Sequence, residues 1–86
     1  MINSQHWTDI KTAIVELIYA IHETESVNNG NISHKLLTAI FSKAFNVDLS
    51  DLYSIFLEIR RRENRTEYLH WMIKVLEKRM DYLDRK

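Results

Sequence analysis

Apolar residues recur at the three- and four-residue spacing of an amphipathic helix in four segments, and no segment alternates as a half-buried strand would. The predicted helices, numbered 1 to 4, cover about residues 8–23, 34–46, 49–62 and 67–84. The positions expected in the core are Ile10, Ile14, Leu17, Ile18 and Ile21; Leu36, Leu37, Ile40, Phe41, Ala44 and Phe45; Leu49, Leu52, Tyr53, Phe56 and Ile59; and Leu69, Ile73, Leu76, Met80 and Leu83. The pattern predicts an all-α fold in which residues 1–86 form one compact four-helix domain.

Polar residues stand at the predicted ends of these helices. Thr8, Ser33, Asp48 and Thr66 each precede an apolar run and carry a side-chain oxygen suited to capping the first turn. Because the chain has no proline and a single glycine, its helices must end at residues such as Asn46. Capping signals and apolar periodicity therefore agree on where the helices lie.

The clearest loop is the segment 24–31, TESVNNGN. Asn29 and Gly30 both tolerate the positive φ that a chain reversal uses. A β-hairpin does not fit there because neither flank alternates. We predict that the chain turns back at this point, between helices 1 and 2.

The composition is that of an ordinary globular chain. Its 86 residues are 45% apolar and 28% charged, which suits one domain with a modest core. No apolar run approaches the ~18–20 residues that span a bilayer. The absence of cysteine excludes disulfides and thiolate metal sites. We expect a cytoplasmic protein without membrane contact.

The sequence contains no pattern typical of an active site. Its histidines, His6, His22, His34 and His70, fall at no metal-ligand spacing and fit surface or boundary positions. There is no glycine-rich phosphate loop and no nucleophile motif. We therefore expect no enzymatic activity, no metal, no cofactor and no small-molecule substrate.

The junction of helices 2 and 3 has the residue types of a helix-turn-helix. Ser42 can be the small residue where the helices cross, and Asn46 can take the positive φ of the turn. Apolar residues on both sides of the turn are Phe41, Phe45, Val47, Leu52 and Ile55. Any tight corner between two helices uses similar residues, so the pattern alone leaves both interpretations open.

Charge is distributed unevenly in a chain whose formal net charge is zero. Residues 1–57 carry three Lys against six Asp and Glu, whereas residues 58–86 carry nine Lys and Arg against six. Zero net charge argues against a general attraction to nucleic acid. Asp48 and Asp51, at the start of helix 3, would also meet phosphates unfavourably.

Four arginines, Arg60, Arg61, Arg62 and Arg65, lie within six positions at the far end of helix 3. In a DNA complex such a cluster would hold backbone phosphates and so position the protein instead of reading bases. Equally, these cations suit a helix C-terminus and can pair with acidic neighbours, which are Glu58, Glu63 and Glu67. Both interpretations stay open.

Helix 4 has an apolar seam, which consists of Leu69, Ile73, Leu76, Met80 and Leu83. The steps of four, three, four and three residues make a heptad pattern, too short to establish a coiled coil. We expect the seam to pack against helix 1, with self-association as the alternative. Trp71 and Tyr82 fall outside the seam and would form an exposed patch for a partner.

With these elements in place, the chain resembles the RteC family, regulators of tetracycline-inducible conjugative transposons. The matching segments are VELIYAIH at 15–22, NNG at 28–30, FNVDLSDLY at 45–53, FLEIRRR at 56–62, NRTEYL at 64–69 and KRMD at 78–81. The resemblance implies a helical C-terminal domain with a helix-turn-helix-like element that binds promoter DNA. It also implies a further N-terminal helical domain before this region, so we expect the chain to be a C-terminal piece or a truncated relative.

The combined prediction is a DNA-binding transcription regulator domain from a mobile element, with double-stranded promoter DNA as its partner and helix 3 as the recognition element. The predicted DNA contacts are Arg60, Arg61, Arg62, Arg65, Ser50, Tyr53, Ser54, Lys43, Lys35 and His34. The alternative is a protein-interaction or dimerisation module that does not bind DNA, in which helix 4 forms a homodimer and the arginines are solvated ion pairs.

Overall fold

A computed structural model describes residues 5–85 of the chain. It contains α1 (Lys11–Glu23), α2 (His34–Phe45), α3 (Leu52–Arg60) and α4 (Glu67–Asp84), with one 3-10 turn at Asn28–Gly30. No strand occurs within residues 5–85. The all-α prediction is confirmed.

Two helices start later than predicted. α1 begins at Lys11 instead of after Thr8, because the Asp9 carboxylate accepts the backbone N–H of Ile10 (2.8 Å) and Ile10 is extended. α3 begins at Leu52 and ends at Arg60. Asp48 does not cap it: its carboxylate accepts the N–H of Ser50 (3.0 Å), a local turn that competes with helix formation.

The other caps are closer to prediction. Ser33 precedes α2, and its hydroxyl accepts the N–H of Leu36 (3.0 Å). Thr66 precedes α4, although its hydroxyl lies against the ring of His70 (3.1 Å) and not against a backbone N–H. The predicted reversal at Asn29-Gly30 is confirmed, since both residues have positive φ.

The core lies between α1 and the two helices that follow it. Its buried apolar residues are Ala13, Ile14, Val15 and Ile18 from α1, Leu37 from α2, and Leu49, Leu52, Ile55 and Ile59 from α3 and the segment before it. Outside α4, four residues predicted to be buried are exposed: Ile10, Leu36, Ile40 and Tyr53. Ile10 lies before the start of α1. The other three lie on exposed faces of α2 and α3, helices that pack mainly against α1 and that α4 leaves uncovered there.

α4 departs most from expectation. Only Tyr68 and Leu69, in its first turn, are half-buried, and every residue from His70 to Arg85 is exposed. The predicted packing of the α4 seam against α1 is therefore wrong beyond the first turn. No helix within residues 5–85 has the length and apolar character needed to cross a membrane.

Candidate nucleic-acid interface

The corner between α2 and α3 uses the residues that the sequence singled out. Asn46 ends α2 in the left-handed region (φ 50°, ψ 47°). The carbonyl of Ser42 accepts the N–H of Val47 (3.1 Å), and the Ser42 hydroxyl donates back to the Val47 carbonyl. The connection spans residues 46–51, longer than the three to four residues of a standard helix-turn-helix turn. The corner is thus fixed by hydrogen bonds, although its connection is longer than that of a standard helix-turn-helix.

The solvent-facing side of α3 presents several of the predicted DNA contacts. Tyr53 is 75% exposed, Ser54 beside it is exposed, and Arg61 is exposed just after the end of α3. Ser50 and Tyr53 also line a cleft of about 360 Å³ together with Lys35 of α2. The fold thereby brings a lysine, a serine and a tyrosine from two elements onto one surface. Lys43 lies exposed near the end of α2.

The acidic residues before α3 differ in their surroundings. Asp51 pairs with the Lys11 ammonium of α1 (3.2 Å), which offsets its charge. Asp48 accepts hydrogen bonds from Ser50, and these lower the pKa of its carboxyl, so Asp48 remains an anion. Lys11 therefore acts on both acids, but only Asp51 forms an ion pair with it.

Arg62 differs from the other three arginines of the cluster because its side chain is half-buried and forms ion pairs with two acids. Its guanidinium donates to Glu16 (2.8 Å) and also pairs with Glu67 (3.2 Å). Glu16 is only 5% exposed and accepts the backbone N–H of Leu69 as well (2.9 Å). Arg62 therefore joins α1 to the start of α4. Of the predicted pairings with acidic neighbours, this one with Glu67 is present.

The remaining arginines make no ion pair within residues 5–85. Arg60 and Arg65 line a second cleft of about 500 Å³, together with His34. Arg61 is exposed just beyond α3. Six of the predicted contacts therefore divide between two clefts, one with Lys35, Ser50 and Tyr53 and one with Arg60, Arg65 and His34.

His34 packs into a crevice between α2 and α1. Its ring stacks on that of His22 (centroids 3.6 Å apart, planes at 25°) and lies 4.6 Å from the ring of Tyr19. Burial and the neighbouring His22 lower the pKa of His34, while Glu23 opposes them. A half-buried, stacked ring has little reach toward a DNA surface.

One possible metal-binding group occurs within residues 5–85. Ligand atoms of His22, Glu23 and His34 lie within 4.8 Å of one another, because the reversal at 28–30 brings together two histidines twelve positions apart. However, an imidazole lone pair lies in the plane of its ring. Two rings stacked nearly parallel cannot both direct a lone pair at one ion without rotating. The His22 ring is also held by the Ile32 carbonyl (3.0 Å).

Sequence reasoning missed Glu16, the buried acid beneath Arg62. Its only signal is its place three residues after Ala13 and four before Ala20, on a helix face of small residues. Small neighbours leave room for another side chain to pack beside Glu16, but the sequence does not indicate that this side chain is Arg62.

A model of the family described as RteC protein matches residues 1–84 of the chain. The chain belongs to the RteC family. Membership suggests a regulatory role in a conjugative transposon, as the resemblance of the sequence implied. No curated protein and no solved structure matches the chain significantly.

Proposed function

We propose that this RteC-family chain binds double-stranded promoter DNA as the helix-turn-helix-like part of a regulator of excision and transfer of a conjugative, tetracycline-resistance element. The observation that carries the proposal is the family match over nearly the whole chain. Two features of the structure support it, the hydrogen-bonded corner between α2 and α3 at Asn46 and the exposed polar face of α3.

In this proposal α3 approaches the major groove with its exposed side. Tyr53 and Ser54 face the base edges, because a hydroxyl can donate or accept there. Lys35 and Arg61 neutralise phosphates on either side, which fixes the position of the helix. Arg60, the last residue of α3, and Arg65 line the second cleft and hold phosphates further along the duplex.

Two of the sequence-predicted contacts have a different role in the proposal. Arg62 holds Glu16 and Glu67, so we assign it to stability and not to DNA. His34 is assigned to the packing of α2 on α1 because its ring is stacked on His22.

The test is fluorescence anisotropy of labelled duplexes, one derived from the element's own promoters and one random, titrated with protein across a salt series. Each phosphate contact contributes about −0.9 to the slope of log K against log salt, and a slope of several units is expected. Tighter binding of the promoter duplex would add base or shape readout.

A pair of charge reversals makes the test specific. Arg60→Glu with Arg61→Glu should weaken binding and flatten the salt slope by about two units. Lys74→Glu with Lys78→Glu, on exposed α4, changes the net charge by the same amount away from the proposed surface. Equal losses from both pairs would mean that only net charge matters, and the assignment to α3 would fail.

A second candidate function is an interaction module that does not bind DNA. It is favoured by one observation, the large apolar surface of α4 that nothing within residues 5–85 covers. Absence of DNA binding at low salt, in a folded protein, would favour it over the first.

A further inference from the structure

α4 exposes a broad apolar surface. Its exposed large apolar residues are Trp71, Met72, Ile73, Val75, Leu76, Met80, Tyr82 and Leu83. From His70 onward the helix extends for about 22 Å with no half-buried residue. A contiguous apolar face of this length marks an interaction surface.

The α4 seam residues beyond the first turn lie on this face with nearly equal exposure. Ile73, Leu76, Met80 and Leu83 are 54%, 55%, 51% and 49% exposed. In heptad notation Ile73 and Met80 occupy a positions, while Leu69, Leu76 and Leu83 occupy d positions. Ile73 at a with leucine at d is the combination that favours a two-stranded parallel coiled coil, whereas Met80 at the other a position is unbranched and neutral in this respect. The apolar pattern thus fits one further helix of the same kind.

The charges beside the seam select the direction of that helix. Glu77 and Asp84 occupy e positions, and Arg79 occupies a g position. In a parallel pair, g of one helix meets e of the next heptad in the other, which brings Arg79 to Asp84 of the second copy, twice by symmetry. In an antiparallel pair, e would face e, and these carboxylates would meet one another.

The side chain of Arg79 already lies along the flank of α4. Its guanidinium carbon is 5.6 Å from the centroid of the Tyr82 ring, a cation–π contact within the helix. This contact holds the charge beside the seam, where Arg79 also borders the apolar groove that Leu76 and Val75 line. The seam residues are left clear for a partner.

From the exposed seam and the charges that flank it, we infer that α4 associates with α4 of a second copy of this chain as a parallel, in-register two-stranded coil. Because the seam is only about two heptads long, we expect the dimer to be weak. The inference does not depend on DNA binding, so either can fail alone.

The first test is sedimentation of the full chain from low micromolar to millimolar concentration. We expect the mass to rise from monomer to dimer and no further. Leu76→Lys should raise the dissociation constant by at least about a hundredfold, because it places two charges in the seam. Asp81→Lys, on the polar face of α4 and off the seam, is the matched control and should change it by less than about threefold.

The second test concerns direction. Arg79→Glu alone should weaken the dimer by about three- to tenfold, and adding Asp84→Arg should restore it to within about twofold. The chain has no cysteine, so Leu83→Cys introduces a single thiol. A parallel pair places the two thiols together and forms a disulfide, whereas an antiparallel pair centred on Leu76 separates them by roughly 20 Å.

Three results would overturn the inference. A monomer at every concentration would mean that α4 serves a different occupant, such as another protein or another segment. A dimer that survives Leu76→Lys would place the interface elsewhere. A dimer that forms no Leu83→Cys disulfide and gains nothing from the charge swap would not be parallel.

Discussion

The guanidinium of Arg62 and the carboxylate of Glu16 are 46 positions apart in the chain and 2.8 Å apart in the fold. Glu16 is the one buried charged residue of the described chain, and its other oxygen accepts the N–H of Leu69. The carboxylate thus fastens the segment after α3 and the first turn of α4 to the middle of α1. Since α4 has few other contacts with the core, this group decides how α4 is attached.

Removing the Arg62 charge should destabilise the protein. Arg62→Met keeps the length of the side chain but leaves Glu16 without its cation, and we expect a loss of about 2 to 3 kcal/mol, at the low end for a buried pair because Arg62 is 23% exposed. Urea denaturation followed by circular dichroism measures the change.

The control for Arg62 is its neighbour. Arg61→Met removes the same charge from an exposed position, and its effect on the free energy of unfolding should stay within about 0.5 kcal/mol. DNA affinity should respond in the opposite order, with the larger loss from Arg61→Met. Similar stability losses for both variants would contradict the assignment of Arg62 to the fold.

Tyr53 should matter for DNA and not for folding. With 75% of the residue exposed, Tyr53→Ala is expected to leave the unfolding midpoint almost unchanged and to weaken promoter binding by about tenfold. Tyr82→Ala, an exposed tyrosine on α4, is the comparison. Anisotropy titrations of both variants on one duplex decide the matter, and unaltered affinity of Tyr53→Ala would remove α3 from the proposed interface.

Acid should loosen the packing of α2 on α1 through His34. The folded protein holds the pKa of His34 below its ordinary 6.5, by burial and by the nearby His22. As the pH falls below 6.5, His34 takes up a proton in the unfolded chain before it does so in the folded protein, and this favours unfolding. The contribution of neutral His34 to the free energy of unfolding is therefore complete above pH 6.5 and decreases as the pH falls toward the folded pKa.

His34→Phe tests this pH dependence. It keeps a stacking ring but cannot titrate, so the fall in stability between about pH 7 and about pH 5 should be smaller than in the unmodified protein. His6→Phe, at an exposed position before α1, is the matched substitution. Unfolding midpoints measured across that range give the slope, and an unchanged slope for His34→Phe would assign the effect to other groups.

Backbone strain at the corner can be separated from side-chain bonding. Asn46 has φ 50°, and its amide donates to the Gln5 carbonyl (2.7 Å). Asn46→Ala and Asn46→Gly both lose that bond, but only glycine takes the left-handed conformation without cost. Asn46→Ala should therefore be less stable than Asn46→Gly by about 1 kcal/mol, as measured by thermal unfolding. Equal stabilities would mean that the corner relaxes.

Local signals in the sequence were enough to predict the helices and the turns. The apolar period, the Ser33 cap, the left-handed Asn46 and the Asn29-Gly30 reversal depend on a few neighbouring residues, and the structure has all of them. Asp48 shows the limit of such signals. The same aspartate can cap a helix or close a turn, and only the burial of Leu49 against the core favours the turn.

By itself, then, the sequence determined the helical class, the order of the helices and the family, since these follow from periodicity, caps and a nearly full-length match. Only the tertiary structure decided which apolar faces are covered, which arginine pairs with the buried Glu16, and that α4 leaves the core after its first turn. Those outcomes depend on pairs such as Glu16 and Arg62, far apart in the chain. The apolar seam of α4 would have the same sequence pattern whether it packed against α1 or faced water. Periodicity identifies an apolar face but does not identify what covers that face.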